Sequence, residues 1–248
     1  MFCPHCGKEI TEGQLFCQHC GGRITETVPN AGGREKTPWE DRETHGFLGG
    51  IFKTVKESLF APSAFFRKMP VTGGLADPLL YALIVGMVST MVSYVWQILF
   101  QGTMQSYFPA EMRAAPGYDM FQGLGIAVLA VVVPIFIILW LFIWSGIVHL
   151  CLMMVKGAKA GFEATFRAVA YSNSAYLLMV IPICGSLITA VWSMVLIIIG
   201  LKEAHETSGG KAAFAELFPL ALCCGLIAAV VVLGILAASL GTMSRMSH

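Results

Sequence analysis

Four long apolar runs, nearly free of charged residues, constrain the fold of this chain more than any other feature of its sequence. The runs cover residues 78–100, 124–155, 171–201 and 217–240. A bilayer core about 30 Å thick needs about 20 apolar residues in a helix, so each run is long enough to cross it. The chain is 56% hydrophobic and only 12% charged, whereas soluble domains are about 25% charged. The sequence therefore predicts an all-α membrane protein.

The run over residues 171–201 allows two topologies. It is either one bent span or a hairpin of two spans that turns at Pro182 and Gly185. Lys and Arg concentrate in cytoplasmic loops. A hairpin places 14 of the 16 Lys and Arg on one side, whereas a single bent span separates them less completely. We therefore predict a five-span transmembrane helical bundle over residues 77–241 in the cell membrane, with its N-terminus in the cytoplasm and its C-terminus outside.

A cysteine motif, CPHCGKEITEGQLFCQHC, precedes the apolar runs. It contains two Cys-x-x-Cys pairs, formed by Cys3 with Cys6 and by Cys17 with Cys20. Thiolates three residues apart on a tight turn can bind one metal ion, and two such turns complete a tetrahedral shell. The motif resembles a zinc ribbon of the CPxCG kind. It predicts a zinc ribbon over residues 1–24 that holds one structural zinc ion, because four thiolates leave no open position for catalysis.

Alternatives to this zinc shell fit the sequence less well. A redox-active Cys-x-x-Cys pair is expected within a βαβ unit, and the surrounding residues do not indicate one. His5 and His19 lie inside the two turns, but four thiolates already fill the shell, so both side chains are predicted to face solvent. Reduced thiols also require a reducing compartment, which agrees with a cytoplasmic N-terminus.

Residues 25–46 are rich in Gly, Pro, Thr and charges of both signs, with no apolar periodicity. This composition predicts a flexible linker between the ribbon and the membrane domain.

Two amphipathic helices are predicted over residues 47–76, just before the first span. Apolar side chains recur there at helical spacing, and Pro62 favours the start of the second helix. A cationic amphipathic helix beside a span is typical of the membrane interface, although a helix packed on a soluble domain gives the same pattern. The apolar residues concerned are Ile51, Phe52, Val55 and Leu59 in the first helix, and Phe65, Phe66 and Met69 beside Arg67 and Lys68 in the second.

Polar residues at the ends of the spans suggest a candidate pocket. With five spans they lie near the cytoplasmic end of the bundle, where they could bind a ligand, an anionic lipid headgroup or an ion. The alternative is hydrogen bonding between helices and anchoring at the interface. The pocket residues are His149, Tyr171, Asn173, Lys202 and His205.

The sequence does not indicate an enzyme. It contains no Ser-His-Asp arrangement, no His-Glu-x-x-His motif and no phosphate-binding glycine loop. The predicted span cores also lack Asp and Glu, which argues against a proton- or cation-coupled transporter. The formal net charge of +1 gives no electrostatic reason to expect nucleic acid as a partner.

The amphipathic stretch LFAPSAFFRKMP and the stretch FRAVAYSNSAYLLMVIPICGSLITAVWSMVLIIIGLKEAHETSGGKAAFAELFP resemble the Yip family of Ypt/Rab-interacting membrane proteins. The resemblance covers residues 47–240, and the attached zinc ribbon is similar to prokaryotic members. It implies a five-span bundle with a cytosolic N-terminus, and in eukaryotic members it implies binding of Rab GTPases. The similar positions are Tyr171, Ser172, Pro182, Gly185, Trp192, Gly200, Leu201, the segment Lys202 to His205, Lys211 and Ala212.

These observations predict a protein of the lipid bilayer that binds a cytosolic protein partner through its zinc ribbon or organises the membrane, and that could form oligomers. The alternative function is a transporter or channel for a small solute or ion through the bundle.

Overall fold

The structure, a computed structural model, describes residues 6, 8, 18–20, 34–107 and 131–246. Over these residues the regular structure is helical, without strands. The chain divides into two compact units, Met1–Glu35 and Lys36–His248. The first unit contains the cysteine motif, and the second unit is the helical membrane domain.

The described part of the membrane domain consists of eight α-helices and one 3-10 helix. Pro62 lies in the first turn of its helix, where its missing N–H needs no partner. Gly46 separates the first two helices with a φ of 69°, which favours glycine. The helices are α1 (Arg42–His45), α2 (Phe47–Phe60), α3 (Pro62–Lys68), α4 (Ala76–Tyr107), α5 (Val133–Met154), α6 (Gly161–Ser172), the 3-10 helix (Asn173–Val180), α7 (Gly185–Ala204) and α8 (Gly209–Met246).

Among the described residues, four helical segments are long and apolar enough to cross a membrane. They are Ala76–Phe100, Val133–Met154, Gly185–Ala204 and Gly209–Val232. Residue 124, the predicted start of the second span, lies outside the described residues. The last helix begins at Gly209 rather than at residue 217, because helical backbone continues through the polar residues before the apolar run.

The chain reverses direction between the 3-10 helix and α7. Residues 181–184 form the turn, and the Thr189 hydroxyl on α7 donates a hydrogen bond to the main-chain oxygen of Ala175, 3.3 Å away. A side chain at Gly185 would lie 2.8 Å from the main-chain oxygen of Leu178, so only glycine permits this approach. The chain therefore turns at Pro182 and Gly185, where the sequence predicts a turn.

Helix α6 lies at the centre of the membrane domain. All residues from Ala164 to Ser172 are buried, and α6 packs against α4, α5 and α7. The sequence predicts that this span starts at Tyr171. The structure corrects this start, because the helix begins at Gly161 and already contains Arg167, which is only 2% exposed.

Two helices, α2 and α3, precede the first span, but their apolar residues are not arranged as the sequence predicts. Phe65, Phe66 and Met69 are buried in the protein core rather than exposed for contact with a membrane surface. On α2, the buried residues include Thr54 and Ser58, whereas Phe52 is 70% exposed. Helical spacing identifies an apolar face, but contacts with the rest of the domain decide which face is buried.

The end of the predicted linker is ordered against the membrane domain. Trp39 is fully buried. Its indole Nε1 donates a hydrogen bond to the main-chain oxygen of Asp77, 2.8 Å away, and its backbone N–H donates to the Thr54 hydroxyl at 2.9 Å. Residues 36–46 therefore belong to the packed domain, which corrects the prediction of a flexible linker as far as residue 46.

Candidate functional site

The predicted zinc ligands lie in the first compact unit. Cys6 and Cys20 are described and exposed, whereas Cys3 and Cys17 lie outside the described residues. The described residues alone contain no group of three side chains able to hold a metal ion, since half of the predicted donor set falls outside them. The chemistry of the full donor set fits zinc, because four thiolates in two Cys-x-x-Cys pairs complete a tetrahedral shell.

His149 and His205 are connected through Thr165. The Thr165 hydroxyl oxygen lies 2.8 Å from His149 Nδ1 and 2.9 Å from His205 Nε2. The backbone N–H of Ala160 donates to His205 Nδ1, 3.1 Å away. With its Nδ1 accepting this bond, a neutral His205 carries its proton on Nε2 and donates to Thr165. The structure thus brings two predicted pocket residues together in a chain of hydrogen bonds that joins α5, α6 and α7.

Tyr171 belongs to a different polar cluster. Its hydroxyl donates to Glu40 Oε1 at 2.7 Å and lies 3.1 Å from the Thr37 hydroxyl. Arg167, one helical turn earlier, forms an ion pair with Glu40 and donates to the main-chain oxygens of Pro70 at 2.8 Å and Gly74 at 2.7 Å. This cluster fastens the ordered segment before α1 and the loop before α4 to the central helix α6.

Lys202 lies on the surface at the end of α7. Its Nζ is 3.2 Å from Glu203 Oε1, and the other carboxylate oxygen of Glu203 accepts a hydrogen bond from Arg67 Nε at 3.1 Å. The hydrogen bond and the charge of Glu203 raise the pKa of Arg67 above its ordinary value, so Arg67 remains cationic. These contacts connect α3 with α7.

Asn173 lines a cavity between the helices. The five predicted pocket residues are therefore distributed over several places, and hydrogen bonds through Thr165 connect His149 with His205.

Sequence reasoning missed the residues that organise these clusters, namely Glu40, Thr165 and Arg167. The predicted linker includes Glu40, and the predicted span starts four residues after Arg167. The spacing of Glu163, Arg167 and Tyr171 at intervals of four residues was an available signal for one helical face. No comparable signal in the sequence indicates that Glu40 is their partner.

Comparison with known proteins identifies two domains. The Yip1 domain matches residues 56–243, and the zinc-ribbon domain matches residues 2–24. Neither a curated protein nor a solved structure matches the chain. The Yip1 domain match confirms the resemblance seen in the sequence and covers most of the length. This chain therefore belongs to the Yip1 domain family and carries a zinc-ribbon domain at its N-terminus.

Proposed function

We propose that this protein anchors a zinc ribbon at the cytoplasmic side of a cell membrane, where the ribbon recruits a cytosolic protein partner. The observation that carries this proposal is the division of the chain at residue 35, which leaves the cysteine motif in a unit of its own. The membrane unit begins with residues that are buried against it, such as Trp39 and Glu40. A separate module on a fixed attachment is suited to recognition.

The proposal includes five membrane crossings. The third is formed by α6 and the 3-10 helix, which continue each other over 12 and 8 residues. With about 1.5 Å per residue in the first and about 2.0 Å in the second, together they extend about 34 Å. That length suffices for a bilayer core of about 30 Å. The buried polar residues of α6 contact protein rather than lipid, which makes such a crossing acceptable.

The orientation rests on the distribution of Lys and Arg. A cytoplasmic N-terminus also keeps the ribbon thiolates in a reducing compartment. An epitope tag placed after His248 is expected to bind antibody on intact cells. If the tag becomes reachable only after the cells are permeabilised, the proposed orientation is wrong.

Partner recruitment can be tested by proximity labelling in cells. A biotin ligase is fused before Met1 of the full chain, and the control carries Ser at the four ribbon cysteines with the same length and anchor. We expect at least one cytosolic protein to be labelled by the native chain and lost from the control. The same set of labelled neighbours in both would contradict recruitment by the ribbon.

A pair of deletions separates the ribbon from its attachment. Removal of residues 1–33 is expected to leave the membrane domain stable and inserted while it abolishes recruitment. Removal of residues 1–44 also deletes Trp39 and Glu40, which removes the buried carboxylate that pairs with Arg167, so this protein is expected to unfold at a lower temperature in detergent. Equal melting temperatures for the two deletions would show that residues 34–44 do not support the domain.

A second candidate function is transport of a small solute or ion, which is favoured by a cavity of about 650 Å³ among the helices. Purified protein in liposomes that contain a potassium-sensitive dye would test the ion case. A potassium flux no greater than in liposomes without protein would show that the protein does not conduct potassium.

A further inference from the structure

The cavity beside the central helix has the size of a small-molecule site. Its volume is about 650 Å³, within the range of about 300–1,000 Å³ that is typical of ligand pockets. Residues of α4, α5, α7 and α8 line it, together with the end of α6 and the 3-10 helix. Many of the lining side chains are aromatic or contain sulfur. They are Phe136, Trp140, Trp144, Tyr176, Met179 and Met194.

One acidic residue, Glu216, lines this mostly apolar cavity. This residue is only 2% exposed. The Trp144 side chain forms a hydrogen bond with the carboxylate, but Glu216 Oε2 has no hydrogen-bond partner among the described residues. A buried carboxylate without a positive partner is costly.

The position of Glu216 overturns the expectation that the spans lack acidic residues. The sequence predicts that the last span starts at residue 217, which places Glu216 just outside it. Because α8 begins at Gly209, Glu216 lies about 10 Å along the helix from its start. An acidic residue at such a position is a candidate functional group.

Four hydroxyl groups of the cavity can accept hydrogen bonds from a bound molecule. Ser89, Thr90, Ser172 and Thr189 all line the cavity. Each donates its hydroxyl hydrogen to a main-chain oxygen of its own or a neighbouring helix, at distances of 2.8, 2.8, 2.7 and 3.3 Å respectively. Their oxygen lone pairs remain available as acceptors.

The charged and aromatic residues of the lining favour a positively charged ligand. Among the described lining residues there is no Lys, Arg or His. The rings of Phe136 and Trp140 are stacked, with centroids 6.2 Å apart, and Trp140 stacks on Trp144 at 5.7 Å. The faces of such rings attract cations. The cavity therefore combines hydrogen-bond acceptors, a buried carboxyl group and aromatic side chains.

We propose that this cavity binds an organic ammonium ion with an apolar body, and that Glu216 is its counter-ion. The ammonium N–H groups donate to Glu216 Oε2 and to the hydroxyl oxygens, while the apolar body packs against the aromatic side chains. An anion would meet an acidic residue and no basic side chain among the described lining residues, and a neutral apolar molecule would leave Glu216 Oε2 unpaired. The site is independent of recruitment by the zinc ribbon.

Binding can be measured with purified full-length protein in a neutral detergent. The probe is 2-(1-naphthyl)ethylammonium, and the comparison compound is its N-acetyl derivative, which has the same apolar body without charge. We expect the ammonium to bind about tenfold or more tightly than the acetylated compound, since only the ammonium forms a hydrogen bond between charged groups with Glu216. Equal affinities would overturn the proposal.

Two substitutions locate the binding. Glu216→Gln keeps the shape of the side chain but removes its charge, and is expected to weaken ammonium binding about tenfold or more. The matched control is Glu43→Gln, which changes an exposed carboxylate on α1 and should leave the affinity unchanged. Unchanged affinity in the Glu216→Gln protein would overturn the role of this residue.

A third variant makes the test independent of how well Glu216→Gln folds. Ala190 lines the cavity from α7, and Ala190→Phe fills part of its volume while Glu216 is retained. Ammonium binding is expected to fall at least about tenfold if the probe occupies the cavity. Full binding by a folded Ala190→Phe protein would place the probe elsewhere and overturn the proposal.

Discussion

The guanidinium of Arg167 on α6 forms an ion pair with the carboxylate of Glu40, and their side chains are only 2% and 6% exposed. The two residues are 127 positions apart in the chain. Tyr171 donates to the same carboxylate, and main-chain oxygens of Pro70 and Gly74 accept from the guanidinium. The ion pair thus ties the segment before the first span to the central helix.

Glu40→Gln is expected to destabilise the membrane domain by about 3 kcal/mol, because it removes the buried partner of the Arg167 guanidinium and leaves only the more exposed Glu163 carboxylate, 3.5 Å away. Thermal unfolding of the purified protein in detergent measures the effect. Arg67→Gln is the control, since it breaks an ion pair in which the arginine side chain is 70% exposed, and it should leave the melting temperature nearly unchanged. Similar melting temperatures for both variants would show that the buried pair has no special role.

Thr165→Val is expected to destabilise the domain by about 1–3 kcal/mol, because it removes the hydroxyl that forms hydrogen bonds with both His149 and His205. Thr165→Ser retains the hydroxyl and should preserve most of the stability. Unfolding by heat or by a denaturing detergent would distinguish the two variants. A valine variant as stable as the serine variant would contradict a structural role for this chain of hydrogen bonds.

Alanine substitutions at two glycines, Gly185 at the turn and Gly146 in α5, are expected to have opposite effects on stability. A Cβ at Gly185 would lie 2.8 Å from the main-chain oxygen of Leu178 and 3.2 Å from Met179 Cα, so Gly185→Ala is expected to destabilise the protein by about 1–3 kcal/mol. Gly146, inside α5, has nothing within 4 Å of such an atom. There, alanine should be neutral or stabilise the helix by up to about 1 kcal/mol. A Gly185→Ala protein with the stability of the native chain would refute the close approach at the turn.

Metal removal should affect the ribbon alone. Elemental analysis is expected to find about one zinc ion per chain, and Cys17→Ser should lose it, because the tetrahedral shell requires all four thiolates. A chelator is expected to unfold the ribbon while the melting temperature of the membrane domain stays the same, since the two units are separately compact. Purified native protein with reduced thiols and no metal would contradict the zinc prediction.

Much of the architecture was predictable from local sequence. Uncharged runs indicated the membrane spans, Pro182 and Gly185 indicated the turn of the hairpin, and the two Cys-x-x-Cys pairs indicated the zinc ribbon. The candidate site was less predictable. His149 and His205 were identified, but their connection through Thr165 was not. Glu216 was excluded because the start of its helix was placed too late, and helix ends are the least certain part of such predictions.

The sequence by itself determined the class of this protein, because hydrophobicity, charge and cysteine spacing are properties of neighbouring residues that can be summed along the chain. Only the tertiary structure decided which polar groups are buried and with which partners. Burial of Arg167 depends on Glu40, and the environment of Glu216 depends on side chains from several other helices. Such contacts join residues far apart in the chain, so no local pattern records them.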